Sequence, residues 1–406
     1  MPDDTTRTAW IVLGGIHLLN RTTPRRDGDP IVLIRVTPQE ISVPATTVVV
    51  RWASLGICPA TALTIRGVPL GDARIEGGDL FPNAIASPTL GTLVGAAAAP
   101  GLVPVFYLAE EPAGGFHTYA QVRFYAEDAC FIRTTAEPIG HGPADALTWL
   151  EPALAERAKS APQLDNHLRY FRTLSAGTEL EVKYNLDPTP DIWATSMELL
   201  KALRAGELRD CRPEYREKFQ IHAFENHMFD VVGPGEEIGY ASFIPRADGG
   251  FVLKRKWFER DAFARREELF TGMDVTPATF GEYLRSELKL QVRALPPFRR
   301  VRYDIQCESM RSGHVYGIFF DHCSLLAVPE IVLSQCELEY RRSRSVLDGD
   351  AAGMLAEMAR IDTWLLSYLA ARGLTKERTF YSKRTFLRDA VAAAPHLGFS
   401  TAVEEV

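Results

Sequence analysis

Residues 178–186 read Thr-Glu-Leu-Glu-Val-Lys-Tyr-Asn-Leu, and the rest of the fold follows from this stretch. Side chains alternate between the two faces of a strand, so Glu179, Glu181 and Lys183 would share one face and apolar residues the other. Two carboxylates at this spacing repel each other unless a cation lies between them. Mg²⁺ and Mn²⁺ take carboxylate oxygens and often bridge to phosphate oxygens, so the pattern indicates a strand with a metal-binding face.

Pairs of like charges with the same two-residue spacing recur further along the chain: Lys254 and Lys256, Arg300 and Arg302, and Glu337 and Glu339. Each pair would lie on one face of a strand. Acidic strands first and last, with basic strands between them, predict a closed antiparallel barrel whose lumen is charged. Such a lumen would hold a divalent metal ion on one wall and a polyanion on the others.

This ordered set of motifs resembles the CYTH family, also called the triphosphate tunnel metalloenzymes, over roughly residues 172–389. The resemblance implies a C-terminal closed β-barrel (the tunnel) with flanking helices. Together with the strand pattern of residues 1–145, it predicts an α+β fold in which a separate β-rich domain precedes the barrel. It implies a phosphorylated small molecule as the substrate and Mg²⁺ or Mn²⁺ as the cofactor.

The resemblance also implies roles for individual residues. Glu179, Glu181 and Lys183 would be catalytic. The phosphate-binding residues would be Lys183, Lys254, Lys256, Arg300 and Arg302, and the metal ligands would be Glu179, Glu181, Glu337, Glu339 and Asp321. Residue by residue, a plainer interpretation competes with each role. Glu337 and Glu339 could face solvent on an edge strand, and the basic runs could be solvated.

One part of the family pattern is missing. The family usually shows an Arg-x-Arg pair just before the lysine strand, whereas only Arg246 lies near that place here. Pro245 next to it argues against a regular central strand. Without this pair, the site would have fewer phosphate-binding residues. The substrate could then be a diphosphate, a nucleotide or another phosphoester instead of inorganic tripolyphosphate.

Length and composition predict a globular protein of more than one domain. The chain has 406 residues, 46% hydrophobic and 24% charged, with a net charge of −7. We predict a β-rich domain over residues 1–145, a helical connector over 146–171 and the tunnel domain over 172–406. The net negative charge argues against general nucleic-acid binding. It does not exclude a local basic cavity, because a local field need not follow the net charge.

The cysteines and the apolar stretches bear on the compartment. The six cysteines show no CxxC pair or zinc-like spacing, and buried reduced thiols are expected. The first residues are polar and lack the n-region of a signal peptide. The uncharged stretch 91–109 contains two prolines and three glycines, which favours a loop and a buried strand over a membrane span. We therefore expect a cytoplasmic protein without a membrane partner; its oligomeric state stays open.

Helices are predicted at several places in the second half of the chain. Apolar periodicity indicates helices over 191–208, 276–288, 351–372 and 382–394. The charged run 260–270, which includes Arg265-Arg266-Glu267-Glu268, has helical periodicity and is interpreted as a solvated helix.

Four interpretations of function remain open from the sequence. The leading hypothesis is a metal-dependent phosphohydrolase acting on a triphosphate-bearing small molecule or on inorganic tripolyphosphate. A nucleotide cyclase is the alternative enzyme, and a non-catalytic phosphate or polyphosphate sensor, with the N-terminal domain as its output, is the alternative outside catalysis. A β-rich enzyme with chance motifs is the plainest option, and it predicts no closed barrel with the four glutamates inside.

Overall fold

The computed structural model describes residues 8–20, 29–36, 46–51, 63–65, 68–69, 101–124, 128–165, 171–215, 219–258, 260–347, 351–375 and 377–394. Contacts divide the chain into two compact units. The first contains Met1–Arg172 with two returning segments, Ser309–His314 and Arg342–Asp350. The second contains Thr173–Glu308, Val315–Arg341 and Ala351–Val406. The three-segment division predicted from the sequence stays a prediction.

The first unit is built on one eight-stranded sheet. Its strands are β1 (Ala9–Gly15), β2 (Val32–Val36), β3 (Thr47–Arg51), β4 (Leu63–Ile65), β5 (Val68–Pro69), β6 (Leu102–Glu110), β7 (Phe116–Phe124) and β8 (Asp128–Arg133). Their order in the sheet is β3-β8-β7-β6-β1-β2-β4-β5. The helices are α1 (His17–Asn20), α2 (Leu150–Lys159) and α3 (Ala161–Leu164), with a 3₁₀ turn at Ala144–Ala146. The predicted β-rich character of this half is confirmed.

Helix α2 packs on this sheet through Trp149, which precedes it. The Trp149 ring meets Phe106 of β6 edge to face at 6.1 Å, and its indole N–H donates to the Ala144 carbonyl at 2.8 Å. The tryptophan is fully buried with its one donor satisfied, so it fixes the start of α2 against the core.

The second unit contains ten strands among its described residues. They are β9 (Thr178–Asn185), β10 (Cys211–Pro213), β11 (Phe219–Gly233), β12 (Gly239–Pro245), β13 (Phe251–Trp257), β14 (Ala264–Phe270), β15 (Gln291–Ala294), β16 (Phe298–Ser309), β17 (His314–Leu325) and β18 (Val332–Ser343). The helices are α4 (Ile192–Arg204), α5 (Phe280–Ser286), α6 (Ala351–Ala370) and α7 (Lys383–Ala393), with a 3₁₀ turn at Gly235–Glu237.

Eight of these strands close into a barrel. The sheet runs β16-β17-β18-β9-β14-β13-β12-β11, and β11 pairs again with β16. The long strand β11 makes closure possible, because its first half pairs with β16 and its second half with β12. Strands β10 and β15 extend the sheet outside the ring. The predicted α+β fold with a closed antiparallel barrel is confirmed.

Apolar residues pack outside the barrel wall, and α4 and α6 cover them. Leu199 and Leu203 of α4, and Ile361 and Leu365 of α6, share one core with Leu338 of β18. Helix α4 begins at Asp191, whose carboxylate accepts from two backbone N–H groups of the first turn, at 2.9 and 3.1 Å. With the apolar core outside, the charged side of the strands faces the lumen.

Helix α7 packs at one end of the barrel. Phe386 and Leu387 of this helix share a cluster with Phe298, Leu325 and Leu333, which lie at the neighbouring ends of β16, β17 and β18. None of the described helices is long and apolar enough to cross a membrane.

The structure corrects two of the sequence predictions. Residues 260–270 do not form a solvated helix, because Ala264–Phe270 is strand β14 between β9 and β13. Pro245 does not exclude a strand either: Gly239–Pro245 is β12, and the proline is its last residue, where the strand ends. A proline at a strand end interrupts no inner part of the ladder.

A histidine outside the lumen gives a testable pH dependence of stability. His227 packs edge-on against Phe280 at 5.5 Å, and burial lowers its pKa below the ordinary 6.5, although Glu225 partly opposes this. The folded state therefore binds fewer protons than the unfolded state near pH 6, and stability falls as the pH drops through 6.5. We expect urea midpoints to decrease more between pH 7.5 and 5.5 for the wild type than for His227→Gln. Equal decreases would contradict this origin.

Candidate functional site: a charged cavity inside the barrel

A cavity of about 490 Å³, part of it open to solvent, lies within the barrel. Every one of its charged side chains except Lys383 comes from a barrel strand. The charged lining residues are Glu179, Glu181, Lys183, Lys254, Lys256, Arg265, Arg300, Arg302, Glu337 and Lys383. The uncharged ones are Asn226, Met228, Tyr240, Ser242, Ile244 and Ser382. Strand alternation brings these groups together, because every second residue points inward.

Lys183 of β9 places its ammonium between carboxylates of β9 and β18. Its ammonium lies 3.0 Å from the Glu181 carboxylate and 3.5 Å from that of Glu337, which is its register partner on β18. Burial lowers the pKa of Lys183, and the two carboxylates only partly offset this. A lysine destabilised in its charged form by burial gains from an additional anion in the cavity.

Asp321 organises the basic wall on β16. Arg300 donates to it through Nε and Nη2, both at 2.9 Å, and Arg302 does so at 2.8 and 2.6 Å. Lys383 Nζ lies 2.8 Å from Asp321 and 2.8 Å from Glu337. Burial would raise the pKa of Asp321, but the two arginines and the lysine outweigh it and hold the pKa far below its usual range. Asp321 therefore orients three cations toward the cavity.

A second cluster lies on β13 and β14. Lys256 donates to Glu179, and Lys254 lies 2.8 Å from Glu267. Burial favours the neutral form of Glu267, but Lys254 and Lys256 lower its pKa to about 2. Both lysines carry pKa values above their ordinary 10.5, because the neighbouring carboxylates outweigh burial. These groups are charged across the physiological pH range.

Arg265 closes the ring of charges from β14. It donates to Glu181, is almost fully buried, and lies 4.9 Å from the centre of the Phe258 ring. Its neighbour Arg266 points outward and pairs with Glu268 at 2.7 Å in an exposed position. The alternation along β14 thus divides one basic pair between lumen and solvent.

The cavity is cationic overall. Of its described lining residues, seven carry a positive charge and three a negative one. The chain as a whole carries −7, so this positive excess is opposite in sign to the net charge of the protein. Low-dielectric walls strengthen such a local field, and a field of this sign favours anions.

Glu339 differs from Glu179, Glu267, Asp321 and Glu337 because its pKa is raised rather than lowered. It lies opposite Glu181 in the β18–β9 register and accepts from Arg341 at 2.5 Å. Burial raises its pKa to about 7, with Glu179 and Glu181 contributing and Arg341 opposing. Its carboxyl group is therefore the one whose charge changes near neutral pH.

A divalent ion is compatible with the chemistry of one part of the site. Glu181 faces Glu339 across the strand pair and Glu179 follows on the same face, so three carboxylates share one wall. As these side chains stand, lysine and arginine satisfy them, and among the described residues no three His, Cys, Asp or Glu groups are arranged as a metal site. The oxygens of Asp321 and Glu337 are engaged by Arg302 and Lys383.

The structure brings most of the predicted site residues together. The predicted residues that line the cavity are Glu179, Glu181, Lys183, Lys254, Lys256, Arg300, Arg302 and Glu337. Asp321 lies fully buried behind Arg300 and Arg302, and Glu339 pairs with Arg341 at the neighbouring position. Their roles as ligands and catalysts stay predictions. The edge-strand interpretation of Glu337 and Glu339 is wrong, because β18 lies between β17 and β9.

Sequence reasoning missed Asn226, Tyr240 and Ser242 of the uncharged lining, and also four residues on β14 and near the start of α7. These four are Arg265 and Glu267 of β14, Ser382 and Lys383. Reading residues 264–270 with a period of two would have placed Arg265 and Glu267 on one face. For Lys383 we find no signal in the sequence that places it beside Glu337.

The missing arginine pair is explained by the inward face of β12. Tyr240, Ser242 and Ile244 occupy this face and line the cavity. Arg246 lies beyond the strand and pairs with Asp248 at 2.7 Å near the surface. Among the described residues, the β12 wall of the lumen therefore carries no charge.

Comparison with known proteins returned structures of low similarity. HpAC1 from Hippeastrum, a candidate adenylyl cyclase with a dominant triphosphatase activity, shares 15% identity; the match covers 52% of this chain and 96% of HpAC1, with a TM-score of 0.33. The PH1819 protein of Pyrococcus horikoshii OT3 shares 14% identity over 52% of this chain and 99% of its own, with a TM-score of 0.32. The Pct1 RNA triphosphatase of S. pombe shares 10% identity over 56% of this chain and 86% of its own, with a TM-score of 0.20.

No family model matches the chain, and no curated protein matches it. At these identities and TM-scores, the similar structures assign neither a family nor an activity to this protein.

Proposed function

We propose that this protein is a metal-dependent phosphohydrolase that acts on a triphosphate-bearing small molecule, or on inorganic tripolyphosphate, inside the barrel. One observation carries the proposal: seven cationic side chains against three carboxylates line one cavity within the barrel of an otherwise acidic protein. A chain of phosphates carries several negative charges along its length. A lumen with cations on several strands matches that distribution better than it matches a single carboxylate or phosphate.

The two basic clusters have different chemistry. Arg300 and Arg302 are forked donors, and Asp321 holds their planes, so they suit bidentate contacts with phosphate oxygens. Lys256 and Lys183 are point charges deeper in the barrel wall, with side chains 5% and 4% exposed. A polyphosphate entering the cavity would exchange its water for these donors. The positions of the donors, fixed on strands, need little reorganisation.

The carboxylates would activate water. Glu179 and Glu181 line the cavity, and Glu339 lies opposite Glu181 in the β18–β9 register. A carboxylate there would accept the proton of a water molecule attacking the terminal phosphorus. The same three side chains would hold Mg²⁺ or Mn²⁺, which when bound would neutralise charge developing on the phosphoryl oxygens.

Product analysis tests the function directly. Purified full-length protein would be assayed with tripolyphosphate, thiamine triphosphate and the nucleoside triphosphates, each with Mg²⁺, Mn²⁺ or a chelator. Orthophosphate release that requires the metal is the expected result. Pyrophosphate with a cyclic nucleotide would replace the hydrolase by a cyclase. Binding without turnover across the panel would replace it by a phosphate sensor, and neither binding nor turnover would overturn the proposal.

Glu181→Gln separates chemistry from binding. The substitution keeps the side-chain shape and removes one negative charge beside Lys183 and Arg265. We expect kcat to fall by about 10²-fold or more, because a base and metal ligand is lost. Tripolyphosphate should bind at least as tightly, since the positive excess of the cavity increases. The control is Glu268→Gln, on the outer face of the adjacent strand β14. Unchanged kcat in Glu181→Gln would remove this residue from the reaction.

A further inference from the structure

The wall formed by β11 and β12 differs from every other part of the cavity. Its lining residues are Asn226 and Met228 of β11 and Tyr240, Ser242 and Ile244 of β12. All five are uncharged. The remaining strands that line the cavity contribute lysine, arginine or glutamate. The lumen therefore has a cationic side and an uncharged side.

The uncharged side contains one buried, hydrogen-bonded pair of polar side chains. The Ser242 hydroxyl donates to Asn226 Oδ1 at 2.6 Å, and both side chains are almost fully buried, at 2% and 3% exposure. With its oxygen engaged, the Asn226 amide directs its N–H groups away from Ser242. Met228 and Tyr240 flank it with apolar and aromatic surface. An apolar lining with a few fixed polar groups is the usual composition of a site for an organic ligand.

Inorganic tripolyphosphate gains little from such a wall. Each of its oxygens carries or shares negative charge, and burying charged oxygens beside Met228 and Ile244 removes water without supplying donors. An organic group bonded to the phosphate chain gains both apolar contact and a hydrogen bond from Asn226. The wall therefore discriminates between the two kinds of triphosphate.

Strand register places the two sides next to each other. Ser242 pairs with Lys254, and Tyr240 pairs with Lys256, whose ammonium lies 5.9 Å from the centre of the Tyr240 ring. Exposure rises in one direction along this pair of strands, because the side chain of Lys256 is 5% exposed and that of Lys254 22%. One ligand can thus place its phosphates at the deeper cations and its organic group toward Ile244, which is half-buried.

From this juxtaposition we propose that the β11–β12 wall is the subsite for the organic group of a triphosphate monoester, and that the protein prefers such an ester to inorganic tripolyphosphate. This inference rests on the proposed function, since it assumes that the cationic side binds the phosphates. It assigns Asn226, Ser242 and Ile244 as the residues that determine specificity.

The wild-type protein gives the first test. We would measure kcat/KM and, by calorimetry, Kd for tripolyphosphate, the nucleoside triphosphates and thiamine triphosphate. At least one ester should exceed tripolyphosphate in kcat/KM by about tenfold or more, the range that a few pocket contacts provide. If tripolyphosphate equals or exceeds every ester, the subsite is disproved while the proposed function stands. If no triphosphate binds or reacts, the proposed function itself fails.

Ile244→Arg gives the second test by placing a cation on the uncharged wall. We expect the ratio of kcat/KM for tripolyphosphate to that for the best ester to rise about tenfold, because the wall then offers a phosphate donor and loses apolar surface. Ile221→Arg is the matched control, since Ile221 is 56% exposed and lies on the opposite face of β11 from Asn226. An unchanged ratio in a folded Ile244→Arg variant would overturn the assignment.

Discussion

Replacing Arg302 by alanine is expected to lower kcat/KM for triphosphate hydrolysis by about 10²- to 10³-fold, the usual cost of removing one fixed donor from a charged site. Arg302 lines the cavity, donates to Asp321 with two nitrogens and contacts Glu337. Its loss removes a forked phosphate donor and leaves the two carboxylates less compensated. Steady-state phosphate release from the best substrate is the measurement.

Two further variants make the Arg302 result specific. Arg302→Lys keeps the charge but not the planar fork, so an intermediate loss is expected. Arg299→Ala removes an exposed arginine from the same strand, on the opposite face, and should leave the rate unchanged. If Arg302→Ala and Arg299→Ala behave alike, Arg302 does not contact the substrate.

Asp321→Asn should cost about 3–5 kcal/mol in the free energy of unfolding, the range measured when one partner of a buried ion pair is removed. Asp321 is fully buried and accepts from Arg300, Arg302 and Lys383. The amide cannot neutralise these cations, so three positive charges would face one another with less compensation, from Glu337 and, at Arg302, Asp304. Urea unfolding at pH 7 measures the change.

The pH dependence and a surface control distinguish this cause from a general packing defect. The pKa of Asp321 is lowered in the folded state, so its contribution is present above the unfolded value of 3.8 and is lost as the pH falls below it. The difference between wild type and Asp321→Asn should therefore shrink below about pH 4. Asp248→Asn, which breaks an exposed pair with Arg246, should cost no more than about 1 kcal/mol. A pH-independent difference for Asp321→Asn would argue against this electrostatic origin.

The alternation of charged and apolar residues predicted the barrel, because the paired charges identified in the sequence face its lumen. Glu179, Lys254 and Arg300 each recur with a like-charged residue two positions later, and all of these pairs face one cavity. The apolar residues between them pack outside, under α4 and α6. A charged lumen with an apolar exterior reverses the usual pattern of small barrels, and that reversal is visible in the sequence.

Charge on both faces of β14 explains why residues 260–270 were wrongly predicted to form a solvated helix. Arg265 and Glu267 face the lumen, while Arg266 and Glu268 face solvent, so both faces of this strand are charged. A strand that is polar on both faces has no period-two contrast in hydrophobicity and reads as a solvated segment. The sequence also could not predict which cations pair with Asp321. Spacing places Asp321 on a strand face, but only the β16–β17 register shows that it meets Arg302.

Barrel closure has a consequence for how the protein acquires its site. Strand β9, the first of the barrel in the chain, pairs on one side with β18, the last, so Glu181 meets Glu339 only when both ends of the domain are present. During synthesis, Glu179 and Glu181 of β9 can first pair with Lys256 of β13 and Arg265 of β14. Glu339 and Lys383 become available only after β18 and α7 have been made. Pairings between residues so distant in sequence form slowly, and the unpaired strand edges are prone to aggregation meanwhile. The charged cavity is therefore complete only after β18 and α7 have been synthesised and the ring of strands has closed.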